Sequence, residues 1–307
     1  MLLFMNEDLK RVLKKIVPIK LVHFYFNIPH LLKRYPTNEL ISFKINNGIL
    51  YAGIHKGFLK RNMITTAMIM EAIESDFYQD KKFSFWIHTG DHIFIKKRNM
   101  FYYAVDDESK LPWCIPDFSF NQWPEAFIYS YSEECKKILN NAKLPPTSNK
   151  VFWSGNLDTH FSRKIFYDRF KADTERFEIH IANPEKKDYS TTFISMHEQY
   201  KYKYLIDLQG KGYSGRLKYL LHSGRLLFIQ ERKWKSYYHF KLKPFVHFIP
   251  VKEDFSDMYE QLEWVEKNSE QVAEIIHNAT SFALSELKYE NALLELRNKL
   301  YAFAERS

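Results

Sequence analysis

Residues 201–230 read KYKYLIDLQGKGYSGRLKYLLHSGRLLFIQ, and this stretch decides the fold. Tyr202 to Leu208 is a short apolar run of the kind that is buried on both faces in a parallel sheet. Four of the chain's nine glycines follow, Gly210, Gly212, Gly215 and Gly224. Between the last two, Arg216 to His222 carries apolar residues at helical spacing, and Leu226 to Gln230 is a second apolar run. Strand, glycine turn, helix, strand is the repeating unit of a parallel sheet with crossover helices. Glycines let backbone N–H groups approach a phosphate, and a helix start adds positive potential. Arg216 opens the expected helix and has the planar fork that pairs with two phosphate oxygens. The spacing is neither G-x-G-x-x-G with an acid about 20 residues on nor a Walker loop. By itself the turn therefore reads as a phosphate site or as tight packing of strand on helix.

Working outward, the alternation continues on both sides. Val151 to Trp153 reads as a strand, Arg163 to Phe170 as a helix, Phe177 to Ile181 and Phe245 to Val251 as strands. Ser256-Asp257 caps a helical region, with further helices over Val272 to Leu287 and Tyr289 to Ala304. Upstream, AKLPPTSNK (142–150) reads as a linker, because Pro145 and Pro146 exclude helix. Before it, ISFKINNGILYA (41–52) is a hairpin signal centred on Asn46-Asn47-Gly48, and Thr65 to Ile73 is helical. Phe83 to His88 is an aromatic strand that ends at Thr89-Gly90-Asp91, where α/β sheets place their ligands. The expected organisation is one α/β domain over 1–145, a second over 146–288, and a last helix within 289–307 that joins the first.

The composition fits two such domains. The chain has 307 residues, 45% of them hydrophobic, which excludes wholesale disorder. Two cysteines, Cys114 and Cys135, exclude a disulfide framework and a zinc ribbon, and point to a reducing, cytoplasmic compartment. Forty-five basic against 37 acidic residues, net +8, favour anionic partners. The start, MLLFMNEDLKRVLKK, lacks the charge order of a signal peptide, and no apolar run approaches the roughly 20 residues of a membrane span. Residues 9–38 contain no acid, and within 9–34 an apolar stripe accompanies Lys10, Arg11, Lys14, Lys15, Lys20, Lys33 and Arg34. Such a segment suits peripheral contact with an anionic membrane or an ordinary solvated helix face.

The 201–230 stretch, followed by LKPFVHFIPVKEDFSDMYEQLEWVEKNSEQVAEIIHNATSFA (242–283), strongly resembles the CAP10 domain of glycosyltransferase family 90. That family includes protein O-glucosyltransferases of the Rumi type and bacterial lipopolysaccharide-modifying enzymes. VFWSGNLDTHFSRKIF (151–166) resembles the family segment that carries an arginine near the donor diphosphate, and Arg163 fits it. Trp153-Ser154-Gly155 stands where the family often has Phe-Arg-Gly, so one arginine is missing. PDFSFNQWPEAFIY (116–129) and SFWIHTGD (84–91) resemble family segments too, the second ending in the catalytic aspartate, which makes Asp91 the candidate base.

The resemblance implies a GT-B-like α/β fold, two Rossmann-type domains facing a cleft with a helical C-terminus. It implies an inverting transferase that uses a UDP-sugar, mostly UDP-glucose or UDP-xylose, with no metal and no cofactor. Inversion needs a single base on the acceptor hydroxyl. Without a metal, the leaving diphosphate must meet arginines and backbone N–H groups. Arg163, Arg216, Ser154, Gly155 and the turn with Gly210, Gly212 and Ser214 can supply these, Ser214 through its hydroxyl. The expected acceptor is a hydroxyl of a glycan or glycolipid, lipopolysaccharide core or capsule, since no secretory signal accompanies the chain. A different class of function, a non-catalytic basic protein that binds single-stranded nucleic acid or an anionic surface, fits the charge and the 17% aromatic content. No RNP, KH or zinc-finger pattern supports nucleic acid. His88, Asp91 and His92 could suggest a metal, but no further ligand cluster completes one. Asp207 has Gln209 where a D-x-D pair would have its second acid.

Overall fold

The computed structural model describes residues 22–25, 39–46, 49–53, 60–73, 80–91, 99–182 and 193–306. The basic segment 9–34 lies outside them but for four residues, and Asn47, Gly48 and His92 also fall outside. The chain forms two compact units, one up to Trp123 together with the part from Tyr289, the other Pro124–Lys288.

The second unit is a five-stranded, wholly parallel sheet. Its strands are β6 (Ser148–Gly155), β7 (Phe177–Ile181), β8 (Tyr202–Asp207), β9 (Leu226–Gln230) and β10 (Ile249–Val251), side by side in the order β10-β9-β8-β6-β7. All five positions of β9 are buried, as expected for a strand covered on both faces. The core joins Val151, Trp153, Tyr204, Ile206 and Phe228 from the sheet to Phe166 and Phe170 from the helix Phe161–Phe170 and to Phe255 and Met258. The chain starts at β6, lays β7 on one side, then crosses to β8 on the other. The gap between the carboxyl ends of β6 and β8 is thus the point where winding reverses, the place where open α/β sheets bind ligands.

Three boundaries differ from the sequence reading, each for a local reason. The strand expected over 245–251 shrinks to Ile249–Val251: Pro244 has no N–H to give, Phe245 adopts φ 55°, and its N–H turns back to Phe248 O at 2.8 Å. The helix expected from Arg216 to His222 is α-helical only over Leu217–Leu220. It tightens as the His222 and Ser223 N–H groups bond three residues back, and Gly224 at φ 62° ends it. The 142–150 stretch is not where the units divide. The helix Tyr131–Ala142 before it belongs to the second unit, with Tyr131 against Tyr219 at 5.1 Å and Asn141 donating to His197 O at 2.7 Å. Buried Arg225 then donates to Ala142 O and Leu144 O, and Thr147 N to Lys201 O, so this turn is fastened along its length.

The first unit carries a mixed sheet, β1 (Val22–Tyr25), β2 (Leu40–Asn46), β3 (Ile49–Gly53), β4 (Lys82–His88) and β5 (Met100–Tyr102), in the order β1-β3-β2-β4-β5. β2 pairs antiparallel with β3, from Asn46 opposite Ile49, and with β4, while β4 pairs parallel with β5. Alternation along β4 buries Phe83, Phe85 and Ile87. The C-terminal helix Tyr289–Ala304 meets them: Ala292, Leu296, Leu300 and Phe303 recur on one face, and Phe303 lies edge-on to Phe83, Phe85 and Phe101. We label the helix Lys60–Ala72 α1; Arg297 donates to Ala72 O at its end.

Candidate active site

At the carboxyl end of β6, Trp153 is 1% exposed and belongs to the core, yet two guanidinium groups rest on its ring. Arg163 Cζ lies 5.5 Å and Arg216 Cζ 5.6 Å from the ring centre. Two like charges on one indole would separate in water. Here the negative face of the ring and a set of backbone carbonyls hold them. Arg163 donates through Nε to Gln209 O at 2.9 Å and through Nη1 to Asn156 O at 3.0 Å, so it ties the loop after β6 to the loop after β8. Arg216 donates to Ser154 O at 2.5 Å. Gly155 is required by this packing: a Cβ there would stand 2.8 Å from Arg216 Nη2 and 2.8 Å from Trp153 Cζ2. The indole N–H of Trp153 is buried and has no hydrogen-bond partner.

The floor of the crevice is polar and connected. Gln230, at the end of β9, accepts from Gln209 N at 3.0 Å and from Ser162 Oγ at 3.4 Å, and donates to Glu253 O at 2.9 Å. His160 caps the helix Phe161–Phe170 by accepting from Ser162 N, and Gln209 Nε2 reaches its Nε2 at 2.7 Å. A buried polar network satisfied in this way fixes the two loops relative to each other.

The glycine turn is tight. Gly210 donates to Tyr213 O, and a Cβ at Gly210 would sit 2.6 Å from that same carbonyl oxygen, so only glycine fits. Gly212 is buried within the turn. Ser214 departs from its expected role as a phosphate donor: its hydroxyl donates inward to Asp207 Oδ1 at 2.6 Å. Arg232 takes the other carboxylate oxygen of Asp207 at 2.8 Å, with both side chains essentially inaccessible. The helix after the turn is a single turn long, which leaves little macrodipole, so positive potential at this end comes from the arginines rather than from a helix start. Tyr237 and Tyr238 are buried and belong to the core.

In the first unit, Asp91 follows β4 by three residues, with its side chain 32% exposed. The sequence reading missed its partner. Arg61, in the first turn of α1, donates through Nη1 to Asp91 Oδ1 at 3.3 Å and to Thr89 O at 3.2 Å. The adjacent Asn62 accepts from Thr89 Oγ1 at 2.5 Å. The only signal available was the pair Lys60-Arg61 at a helix start, where acids are usual. Below Arg61 lies Phe118, 5.6 Å from its Cζ, within a short turn capped by Asp117. Tyr103, whose hydroxyl is bonded to Thr65, is pushed up by burial. Two further acids of this unit are engaged elsewhere: Asp106 is paired with Lys110 at 2.5 Å, and Asp107 caps the turn that begins at Glu108. Among the described residues no group of three metal-ligating side chains occurs, and no helix is long and apolar enough to cross a membrane.

These residues can be set beside known proteins. The bovine Protein O-glucosyltransferase 1 is 32% identical over 125 residues, 41% of this chain and 31% of that protein. Uncharacterized protein 179R of Invertebrate iridescent virus 6 is 32% identical over 143 residues, 44% of this chain and 11% of that protein. The chain thus spans less than a third of the length of these relatives. Among solved structures, Anabaena Alr3699/HepE in complex with UDP-glucose matches 54% of this chain and 44% of its own at 8% identity and a TM-score of 0.37. A glycosyltransferase from Rickettsia africae matches 58% and 46% at 8% identity and a TM-score of 0.36. The model of Glycosyl transferase family 90 matches residues 28–300, and with that span running through both units the chain belongs to glycosyl transferase family 90.

Proposed function

We propose that the protein is an inverting, metal-independent glycosyltransferase that moves a sugar from a UDP-sugar to a hydroxyl of a glycan acceptor. The observation that carries this is the convergence of Arg163 and Arg216 on Trp153 at the reversal point between β6 and β8. A diphosphate is the ligand such a place suits: two cations on one ring, beside a tight turn that only Gly210 permits, with Gly155 letting Arg216 pack against Trp153. Arg216, the less buried of the two, contacts the diphosphate, while Arg163 keeps the two loops in register. Charge on the leaving group grows in the transition state, so a fixed guanidinium favours that state over the ground state. The carboxylate of Asp207 is paired with Arg232 rather than left open to a divalent cation, and this supports a mechanism in which arginine does the work of the metal.

Asp91 takes the proton of the acceptor hydroxyl as the oxygen attacks the anomeric carbon. One displacement with one base gives inversion. The name of the bovine relative supports glucose as the sugar, with xylose next. It also supports a second acceptor reading, a protein hydroxyl, beside lipopolysaccharide core or capsule glycan. Residues 9–34 bring the enzyme to an anionic membrane surface on the cytoplasmic side, where a glycolipid acceptor is presented.

The test has two steps. UDP at 100 times its dissociation constant stabilises the folded chain by about 2.7 kcal/mol, and a single-stranded oligonucleotide does not. UDP-glucose and UDP-xylose are then offered with glycan and peptide acceptors, with and without EDTA, and products are weighed by mass spectrometry. Stabilisation by oligonucleotide and not by UDP overturns the reading in favour of a nucleic-acid binder. Activity abolished by EDTA and restored by manganese overturns its metal independence.

A further inference from the structure

We infer that Arg61 is the positioning residue of the reaction, the group that holds the Asp91 carboxylate in one orientation. This rests on Asp91 as the base, proposed above. An arginine in the first turn of a 13-residue helix opposes the helix dipole, so its place needs a local reason. The reason is on the other side of the contact. One nitrogen, Nη1, bridges Thr89 O and Asp91 Oδ1 and so spans the turn from its start to its end. Its neighbour Asn62, 1% exposed, pins Thr89 through the Thr89 hydroxyl, which also reaches Glu39 O at 3.1 Å. Two consecutive residues of α1 thus clamp the three residues that end in Asp91. Gly90 completes the clamp, since a Cβ there would lie 2.4 Å from Glu39 Oε2 and 2.7 Å from His88 Cε1.

The support extends one layer further. Phe118 lies under the guanidinium, and Asp117 fixes Phe118 by capping its turn through Ser119 N at 2.8 Å. This gives the segment Pro116–Trp123 a task that its sequence did not declare: it seats Arg61. Among the described residues, the charged and titratable groups around Asp91 are Arg61 from α1, Glu39 at Gly90, His88 from β4, and Asp117 and Tyr103, the last of which feels both Arg61 and Asp91. Of these, Arg61 is the cation in contact. It leaves Oδ2 without a bond to the guanidinium, the oxygen that can accept a proton. Preorganisation of this kind separates a catalytic carboxylate from a turn-forming one.

The experiment uses the full chain and the variants Arg61→Met, Arg61→Lys and Asp91→Asn. Turnover and the KM for the acceptor are measured beside UDP affinity and melting temperature. Arg61→Met is expected to lower turnover about 10- to 100-fold, in keeping with loss of a supporting contact. The loss should fall on kcat rather than on the KM for the acceptor, because the base is misaimed while the binding surfaces stand. UDP affinity should stay unchanged, and Arg61→Lys should recover part of the lost turnover. An Arg61→Met enzyme with the parental turnover, in a protein where Asp91→Asn is inactive, overturns the inference and leaves Asp91 as the base. Normal turnover in Asp91→Asn removes both. If Arg61→Met fails to fold, Arg61→Lys decides, since it keeps the charge and loses the guanidinium geometry: full turnover with the parental KM overturns the inference.

Discussion

The two turns that matter, Gly210–Gly215 in the second unit and Thr89–Asp91 in the first, are built on different principles. The first is fixed by its own sequence. Gly210 and Tyr213 close it, Ser214 and Asp207 fasten it from within, and Arg216 leaves it three residues after Tyr213. The second is fixed from outside, by Arg61 and Asn62, which precede it by about thirty residues. A turn that specifies itself presents backbone and charge to a ligand without help. A turn that is clamped from elsewhere presents one side chain, and its precision depends on the clamp. The first construction suits holding a diphosphate, and the second suits aiming a base.

The sharpest way to break this comparison is Asp91→Asn. Asparagine keeps the shape and can still meet Arg61, but it accepts no proton. Turnover should fall about 100- to 10,000-fold with UDP affinity and melting temperature near the parental values. Near-normal turnover would reduce the clamped turn to architecture. Arg216→Ala tests the other side. Loss of one charge-assisted, partly buried contact should weaken UDP by about 1.5–3 kcal/mol, roughly 10- to 150-fold, with a further loss of turnover. Calorimetry that returns the parental UDP affinity would move the donor away from the β6–β8 reversal point.

Gly210→Ala asks whether the self-specified turn is as rigid as its packing implies. The new methyl would meet the Tyr213 carbonyl oxygen at 2.6 Å, a backbone atom that cannot swing aside. A loss of about 1–3 kcal/mol is expected, a fall of a few degrees in the melting temperature of a chain this long, with weaker UDP binding. Unchanged UDP affinity would show that the turn yields. Gly90→Ala makes the matched change in the clamped turn. There the clashing atom is the end of the Glu39 side chain, which can move, so less stability should be lost.

The same contrast explains what could be read from the sequence. The strands and helices of the second unit and the glycine turn between β8 and β9 sit within short windows and obey spacing rules. Ser214 could be seen but not oriented, because nothing in the pattern says that its hydroxyl turns inward to an aspartate paired with Arg232. Arg61 could not be found at all: its pairing with Asp91 is made by a helix crossing a strand end, and the only trace is a charge of the wrong sign for a helix start. The expected linker failed for a related reason. Two prolines excluded helix correctly, but the carbonyls beside them are held by Arg225, about eighty residues on. The helix Phe161–Phe170 illustrates the reverse case, where local reading came close: it begins two residues before the expected Arg163, because His160 serves as its cap.

The smallest expected effect concerns acid and the second unit alone. His222 ends the segment that leaves the glycine turn. It is buried, its Nδ1 donates to Lys218 O at 2.8 Å, and Cys135 Sγ lies 3.9 Å from the same nitrogen. Burial pushes the imidazole down to about 4. An unfolded histidine takes up its proton near 6.5. Between those two values the unfolded chain binds more protons than the folded one, so stability falls as pH drops from about 6.5 towards 4 and is flat with respect to this group above and below. At pH 5.5 the loss is about 1.4 kcal/mol, from one unit of separation at 1.4 kcal/mol per unit. The thiol does not titrate in this window, since burial pushes Cys135 up to about 12. His222→Gln should flatten the melting-temperature profile between pH 6.5 and 4.5 while leaving the carboxylate-driven fall below that range. UDP protection measured across the same range sharpens the comparison. If the self-specified turn depends on the helix that follows it, acid should loosen UDP in the parental protein and much less in His222→Gln. A parallel fall in both proteins would mean that the turn holds its shape without that helix, and that His222 serves stability only.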